Sequence, residues 1–280
     1  MHPVIFELGP FTLRSFGLAF AVGFAVAIAV VLRRAKRWGF PPDPVLSLCL
    51  YLIFAGILGA RLAYVVTHVE EFSGRWLDAF NPFAGEQFGL AGLNLYGGIV
   101  AGLLFALWYS HRRNLPVLGV LDLLTPGVGV GMFVARWGCF FNGCCFGTPT
   151  LLPWGVSFPP DTLPYYVYGP AHLHPSQIYS SLYGLALLGF TIFVDNRKKY
   201  FGWTLAWFFI VEALFRVAIE RVRYYEPAMH FWLLGRDFTY NELISAVLFA
   251  TGIFLLVFLP RYGEKAEFLK LSFGQRQGRA

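Results

Sequence analysis

Three arginines lie inside long apolar stretches of the chain, where a charged side chain is costly. They are Arg61, Arg136 and Arg216. If these stretches cross a bilayer, each arginine costs about 2.5–3.5 kcal/mol at the bilayer centre, so such a residue is normally buried, paired and functional. The planar guanidinium group matches phosphate oxygens with two hydrogen bonds and keeps its charge at any relevant pH. The three arginines therefore predict an anion site suited to phosphate. The alternative for each is structural pairing, or a side chain that reaches out to the interface.

The sixth apolar stretch carries charged residues on one helix face. Glu212, Arg216 and Glu220 follow one another at intervals of four, and Arg223 comes about one turn after Glu220. We interpret Glu212 as part of a buried ion network that neutralises itself. For Arg216 and Glu220 the spacing predicts a functional role beside the anion.

Two short polar motifs fall at the same level as the arginines. Tyr96-Gly97-Gly98 begins the third apolar stretch, where a glycine pair lets a ligand or another helix approach the backbone. The segment 174–177 reads H-P-S-Q and leads into the fifth stretch, with Ser176 expected as the helix N-cap. The alternatives are a packing contact for the glycine pair and a structural hydrogen bond for His174.

The elements that position these residues are apolar runs of membrane-spanning length. The chain has 280 residues, of which 57% are hydrophobic and 14% charged, a composition too apolar for a soluble domain. A membrane span needs about 20 apolar residues. We therefore predict an all-α integral membrane protein, with a single transmembrane domain over residues 1–280 and seven transmembrane helices. The runs are 16–32, 45–67, 91–110, 116–141, 176–194, 202–220 and 240–259.

Lysine and arginine are distributed unevenly between the connections. They cluster after the first, third, fifth and seventh runs, in groups that include Arg34 and Lys198. The positive-inside rule then places the amino terminus outside and the carboxy terminus in the cytoplasm. The connections 68–90 and 145–175 face outward, and the proline, glycine and aromatic residues of 145–175 predict an ordered cap. We assign the net charge of +6 to orientation and expect no nucleic-acid partner.

Several motifs of the chain occur together in one protein family. The segment 135–147 reads A-R-W-G-C-F-F-N-G-C-C-F-G, and further motifs are G-A-R-L-A-Y at 59–64, Y-G-G-I at 96–99, H-P-S-Q-I-Y at 174–179 and F-R-x-x-x-E-x-x-R at 215–223. Together they resemble the motifs of the bacterial prolipoprotein diacylglyceryl transferases, whose signature reads G-R-x-G-N-F-x-N-x-E-x-x-G. The resemblance extends over nearly the whole chain.

The chain departs from the family pattern at five positions. The family histidine of His-Gly-Gly is Tyr96, and the signature glutamate is Cys144. The first glycine and the asparagine of the signature are Ala135 and Cys139, and an amino-terminal tyrosine of the family is Phe16.

The resemblance implies an enzyme of the bacterial inner membrane with its active site toward the periplasm. Such an enzyme moves the diacylglyceryl group of phosphatidylglycerol to the thiol of the lipobox cysteine in the signal peptide of a preprolipoprotein, and glycerol phosphate leaves. The implied partners are phosphatidylglycerol, the preprolipoprotein signal peptide and the lipid bilayer. No metal and no soluble cofactor are implied.

The reaction assigns roles to the candidate residues. Arg136 and Arg216 are expected to stabilise the departing phosphate. The thiol is expected to be assisted either by Tyr96 as proton acceptor or by the positive field of the arginines. The remaining candidates are expected to bind substrate: Arg61, Gly97, Gly98, Asn142, His174, Gln177, Glu220 and Arg223.

Two other functions remain open at this point. In one, the chain is a divergent paralogue that transfers a lipid-derived group to another acceptor. In the other, it is a non-enzymatic protein that binds or transports lipid. Against transport, the polar residues gather at one depth instead of lining a path, and no inverted repeat is visible.

Three cysteines crowd one short stretch of the signature. Cys139 could form a disulfide with Cys144 or Cys145, because the outward face is oxidising. A lipid-carrying Cys144 is the alternative.

Overall fold

The described part of the chain is built mainly of α-helices. The computed structural model describes residues 4–8, 11–72, 74, 76–81, 92–225, 230–233 and 235–262. The helices are α1 (Ser15–Trp38), α2 (Pro42–Thr67), α3 (Leu95–Arg112), α4 (Val117–Asn142), α5 (Leu163–Tyr168), α6 (Ser176–Asn196), α7 (Trp203–Glu220) and α8 (Tyr240–Tyr262). Each of the seven predicted apolar runs falls largely within one long helix, while the six-residue α5 lies in the connection between α4 and α6.

Among the described residues, five helices are long and apolar enough to cross a membrane: α1, α2, α4, α6 and α8. The two others that match predicted runs, α3 and α7, have 18 residues each. Large apolar side chains such as Phe54, Leu104 and Phe254 are exposed on the helices. So much exposed apolar surface needs lipid as its solvent, and the chain is a multi-pass membrane protein.

Two short antiparallel hairpins accompany the helices, and the structure remains consistent with the all-α class. Strand β1 (Val4–Leu8) pairs with β2 (Phe11–Arg14) just before α1, and β3 (His230–Leu233) pairs with β4 (Arg236–Thr239) just before α8. Outside the helices, backbone N–H and C=O groups still need partners, and a hairpin supplies them locally. Strands of four or five residues are much shorter than a membrane span and leave no apolar run of that length in the sequence.

Helices α2 and α3 approach closely through glycine. A Cβ atom at Gly97 would lie 2.2 Å from the Ala63 Cβ and 2.6 Å from the Gly59 carbonyl oxygen. A Cβ at Gly98 would lie 2.9 Å from the Gly56 carbonyl oxygen. Small residues let helix backbones meet where lipid offers no hydrophobic driving force, so this glycine pair is a packing contact.

A buried ion network joins helix ends on one side of the bundle. Asp195 at the end of α6 pairs with Arg34 of α1, accepts a hydrogen bond from Trp38 Nε1 at 2.9 Å and lies 3.0 Å from Lys198 Nζ. Arg34 and Lys198 are both buried. The basic clusters assigned to orientation thus contain two residues that also hold helices together.

Asp122 of α4 lies at the same end of the bundle as the Asp195 network and caps another helix there. Its carboxylate accepts hydrogen bonds from the backbone N–H groups of Gly202, at 2.9 Å, and Leu205, at 2.8 Å. Gly202, the N-cap of α7, has a φ of 91° and no side chain to cap the helix. The buried carboxylate therefore supplies the N-terminal cap of α7 from another helix.

The connection 145–175 packs against the ends of three helices. Backbone bridges join Gly147 to Arg223 and both Pro149 and Val156 to Leu173. Beneath them Phe146, Phe158 and Leu173 form a small buried apolar cluster. This connection, hereafter the cap, therefore ties the end of α4 to the start of α6 and the end of α7.

Candidate active site at the end of the bundle

Asn241, in the first turn of α8, connects residues of three helices. Its side-chain oxygen accepts a hydrogen bond from the Tyr96 hydroxyl of α3 and another, at 3.2 Å, from Arg216 Nη2 of α7. Asn241 itself is buried. The structure therefore brings Tyr96 and Arg216 together, two residues that the sequence assigned to one site.

Glu220 holds the other side of the Arg216 guanidinium. Its Oε1 lies 3.7 Å from Arg216 Nε, and the Glu220 side chain is almost completely buried. The carboxylate also accepts hydrogen bonds from the Tyr225 hydroxyl at 2.5 Å and the Thr239 hydroxyl at 2.9 Å. Glu220 thus orients Arg216, as a residue one helical turn away can. Both side chains belong to the same site.

Two further arginines approach the same region. Arg136 of α4 and Arg216 both act electrostatically on the Glu212 carboxylate. Arg223, just beyond α7, lies 4.8 Å from the Tyr225 ring and, with Arg216, acts on the Tyr225 hydroxyl. Burial is the main cause of the raised pKa of Tyr225, and the two arginines oppose it. Guanidinium groups from α4, α7 and the segment after α7 therefore share one polar region.

The cap and the start of α6 meet at the cysteine turn, residues 143–145. Gln177 Nε2 donates to the Cys144 carbonyl oxygen at 2.9 Å, and the Ser176 hydroxyl donates to that of Cys145 at 2.7 Å. Pro175 occupies the N-cap position of α6, so the prediction of Ser176 as N-cap is wrong. The Ser176 hydroxyl binds the Cys145 carbonyl oxygen instead of capping the helix.

His174 fixes the cap to α6. Its backbone carbonyl accepts from Gly147 N at 3.1 Å, and its Nδ1 lies 3.4 Å from the Tyr179 hydroxyl, which also accepts from Trp154 Nε1 at 2.7 Å. These contacts favour the structural alternative for His174.

Cys139, Cys144 and Cys145 form one thiol cluster, with their sulfur atoms all within 4.8 Å of one another. All three are free thiols, so the disulfide expected from the sequence is not present in the structure. Hydrogen bonds from Cys139 and Cys144 lower the pKa of the Cys145 thiol, and the charges of Arg223 and Arg136 add to this effect. Asn142, the last residue of α4, interacts with the Cys144 thiol.

Arg61 has a different environment from the other arginines. Its Nε donates to the Ala79 carbonyl oxygen at 2.5 Å and its Nη1 to that of Gly92 at 3.1 Å. The guanidinium also lies 5.1 Å from the Phe72 ring. Arg61 thus ties the ends of the connection between α2 and α3 to the bundle, which favours its structural alternative. Gly97 and Gly98 face α2, as described above, and the interior of the connection, 82–91, lies outside the described residues.

Several buried polar atoms around the site have no hydrogen-bond partner among the described residues. They are Gln177 Oε1, Arg223 Nε and Asn241 Nδ2. A buried polar atom without a partner is costly, so native structures rarely leave several in one region unless a ligand or water completes them. This region can therefore receive a polar ligand, and its arginines make an anion the best match.

Sequence reasoning missed Asn241, Thr239 and Tyr225. An asparagine at a helix start and a tyrosine in a connection carry no signal of their own, because each acts only on a residue brought near by folding. One signal was available: Thr239 and Glu242 have the spacing of a capping box, and Thr239 N donates to Glu242 Oε2 at 3.0 Å.

The fold and the site define a multi-pass helical membrane protein with an arginine-rich polar site at one end of its bundle. Within that class, the chain belongs to the prolipoprotein diacylglyceryl transferase family. The sequence model of that family, described as "Prolipoprotein diacylglyceryl transferase", matches residues 3–258. The family prediction from the motifs is confirmed.

Relatives named phosphatidylglycerol–prolipoprotein diacylglyceryl transferase match over most of the chain. The protein of Clostridium tetani is 32% identical over 255 residues, which cover 91% of this chain and 96% of the relative. That of Nitratidesulfovibrio vulgaris is 32% identical over 261 residues, covering 92% and 93%. That of Thermotoga maritima is 30% identical over 251 residues, covering 89% and 81%.

Proposed function

We propose that this protein transfers the diacylglyceryl group of phosphatidylglycerol to the lipobox cysteine thiol of a preprolipoprotein. Its family and the names of its relatives support this reaction. The observation that carries the proposal is the convergence of Arg136, Arg216 and Arg223 around buried polar atoms that lack partners. Such a region suits the phosphate of a lipid head group.

Arg136 and Arg216 stabilise the leaving group. In the transfer, the thiolate sulfur forms a bond to the glyceryl carbon while the bond from that carbon to the phosphate oxygen breaks. Negative charge moves to the glycerol phosphate that departs. Fixed guanidinium groups in a region of low dielectric lower the energy of that charge most in the transition state. Glu220 and Asn241 hold Arg216 from two sides, so little reorganisation is needed.

Tyr96 is placed to receive the thiol substrate. Its hydroxyl donates to Asn241, so the lone pairs of the phenol oxygen remain free to accept a hydrogen bond from an incoming thiol. The thiolate is the nucleophilic form of cysteine. Because the Tyr96 hydroxyl keeps its own proton, the thiol proton leaves to solvent, and the nearby arginines favour the thiolate that remains. Asn241 thereby links the group that meets the thiol to the group that meets the phosphate.

The site lies at the periplasmic side of the inner membrane in this proposal, and seven helices span the bilayer. The end of the bundle that holds Asp195 also carries the excess of lysine and arginine, which belongs in the cytoplasm. The opposite end, with the cap and the arginines, then faces outward. There the bilayer supplies phosphatidylglycerol.

The test is transfer by the purified protein. Phosphatidylglycerol vesicles and a lipobox peptide are incubated with it, and mass spectrometry follows the peptide and the glycerol phosphate released. The variants Arg136→Ala and Arg216→Ala should each lower the rate at least about 100-fold, the loss typical for removal of a preorganised charge partner. Arg33→Ala removes an exposed arginine near the carboxy-terminal end of α1, at the end of the bundle away from the site. This variant should leave the rate unchanged.

Two results would count against the proposal. Transfer at the wild-type rate by both arginine variants would remove the role given to the guanidinium groups. Release of glycerol phosphate without modification of the peptide would instead identify a paralogue with another acceptor, a function to which the changes at Tyr96 and Cys144 would then point.

A further inference from the structure

The thiol cluster of Cys139, Cys144 and Cys145 has the dimensions of a metal site. A sulfur–metal bond of about 2.3 Å places three sulfur ligands about 4 Å apart around one ion. The three sulfur atoms lie within 4.8 Å of one another. Small side-chain rotations would therefore bring all three to bonding distance of a single ion.

The backbone around the cluster is held in place from both sides. Gly143 ends α4 in the left-handed conformation, with a φ of 69°, and Cys144 N donates to the Cys139 carbonyl oxygen at 3.1 Å. Cys145 also has a positive φ, 59°, which is unusual for a residue with a side chain. The Ser176 and Gln177 side chains bind the carbonyl groups of Cys145 and Cys144, and both are buried. The turn that carries two of the sulfur atoms is thus fixed by a neighbouring helix.

We propose that Cys139, Cys144 and Cys145 together bind one thiophilic d10 cation, Zn²⁺ or Cu⁺, through three thiolates. Soft sulfur ligands select these two ions over Mg²⁺ or Ca²⁺. Binding releases the thiol protons to solvent as three metal–sulfur bonds form, and no atom changes oxidation state. Arg136 and Arg223, which act on the Cys145 sulfur, offset the negative charge of the complex.

The site does not depend on the proposed transferase activity. Its ligands are cysteines of this chain, two of which replace the asparagine and the glutamate of the family signature. The expected readout is metal binding, so a protein without transfer activity would still bind the ion.

The test uses the full-length protein, reduced and purified in detergent without oxygen. It is titrated with Zn²⁺ against a chromophoric chelator and, separately, with Cu⁺ in the same competition format. One ion per chain is expected for at least one of the two metals. Cys139→Ser, Cys144→Ser and Cys145→Ser should each weaken binding at least about 100-fold, since even changes outside the ligand shell cost 10–100-fold.

Cys49 provides the matched control. It is a buried cysteine of α2, and Cys49→Ser should bind the ion as the wild type does. A second measurement uses the wild type alone and so avoids any variant that fails to fold. The ion should protect three of the four cysteines from alkylation in intact-mass spectra, and a chelator should restore their reactivity.

Three results would overturn the proposal. They are a stoichiometry near zero for both ions, an affinity that none of the three serine substitutions changes, and alkylation of Cys139, Cys144 and Cys145 at the same rate with and without metal.

Discussion

One amide oxygen of Asn241 serves both halves of the proposed reaction. It accepts hydrogen bonds from Tyr96, which is placed to meet the thiol, and from Arg216, which is placed to meet the phosphate. Through this oxygen Asn241 acts on Tyr96 and Arg216 and not on a substrate, so we treat it as a positioning residue. Its effect should appear in catalysis more than in binding.

Replacing Asn241 by alanine tests this role. A hydrogen bond to a charged group contributes about 1.5–3 kcal/mol, so Asn241→Ala should lower kcat about 10- to 100-fold. The KM for phosphatidylglycerol should change much less, because Arg136 and Arg223 remain. Steady-state kinetics with the lipobox peptide measure both constants.

Ser245→Ala is the control for this prediction. Ser245 lies one turn further along α8, is equally buried and donates only to the Asn241 backbone carbonyl, at 2.7 Å. It should keep nearly full kcat. An equal loss in both variants would mean that the α8 start, and not the Asn241 amide, determines the rate.

Residue types alone predicted part of this site. The i, i+4 spacing placed Arg216 and Glu220 on one helix face, and they form an ion pair there. The sequence could not separate Arg61 from the other arginines, because the carbonyl groups of Ala79 and Gly92 that bind it become its neighbours only in the fold. Asn241 stands 145 positions from Tyr96 along the chain, so no local pattern could reveal their contact.

At the scale of elements, the contact between α2 and α3 determines the distance between the end of α2 and the start of α3. Gly59 and Gly97 meet backbone to backbone, each with an alanine Cβ of the other helix where its own side chain would be. Tyr96 and Arg61 lie near the same ends of these helices. The position of Tyr96 therefore depends on a contact made by its glycine neighbours.

Adding a methyl group at this contact should be destabilising. Gly97→Ala would place a Cβ 2.2 Å from that of Ala63, which neither helix can accommodate without moving apart. Overpacking of this kind costs about 1–3 kcal/mol. Thermal unfolding in detergent, followed by circular dichroism, should show a lower Tm.

Gly102→Ala is the matched control in the same helix. The nearest atom to its new Cβ would be Leu52 Cδ2 at 3.9 Å, an ordinary contact. Because alanine favours helix over glycine by about 1 kcal/mol, its Tm should not fall. The pair Gly97→Ala with Ala63→Gly should recover part of the loss. No recovery would show that the cost arises elsewhere than at this contact.

The long helices could be predicted because span length and apolar composition depend on local sequence. The hairpins before α1 and α8 could not, because four- or five-residue strands become stable only when their partner strand and the helix ends hold them. The turn that carries Cys144 and Cys145 is similar, since its shape depends on side chains of α6 more than 30 positions away.

At the scale of the whole molecule, two polar regions stand at opposite ends of an apolar bundle. One contains the arginines and the cap, and the other contains Asp195 with Arg34 and Lys198. In the second, the Asp195 carboxylate is satisfied from several sides. We expect function to depend on the first and stability on the second.

Removing the Asp195 carboxylate should affect stability without affecting function. Asp195→Ala leaves Arg34 and Lys198 buried beside one another, a change that costs about 3–5 kcal/mol when one partner of a buried ion pair is lost. The Tm in detergent should fall strongly, while kcat per folded molecule should stay close to that of the wild type. Asp161→Ala, at an exposed position of the cap, should change neither value. A loss of kcat without a loss of Tm in Asp195→Ala would contradict this division.

Charge counts along the sequence indicated an orientation but not this network, because a basic residue in a connection looks the same whether it faces water or a buried carboxylate. Arg34 belongs to α1 and Asp195 to α6, so their pair forms only after both helices are in the bilayer. Until then the Arg34 guanidinium lacks its carboxylate partner. The pair therefore locks the first helix to a late one only after both are inserted, so it stabilises the finished bundle and not the partly assembled one.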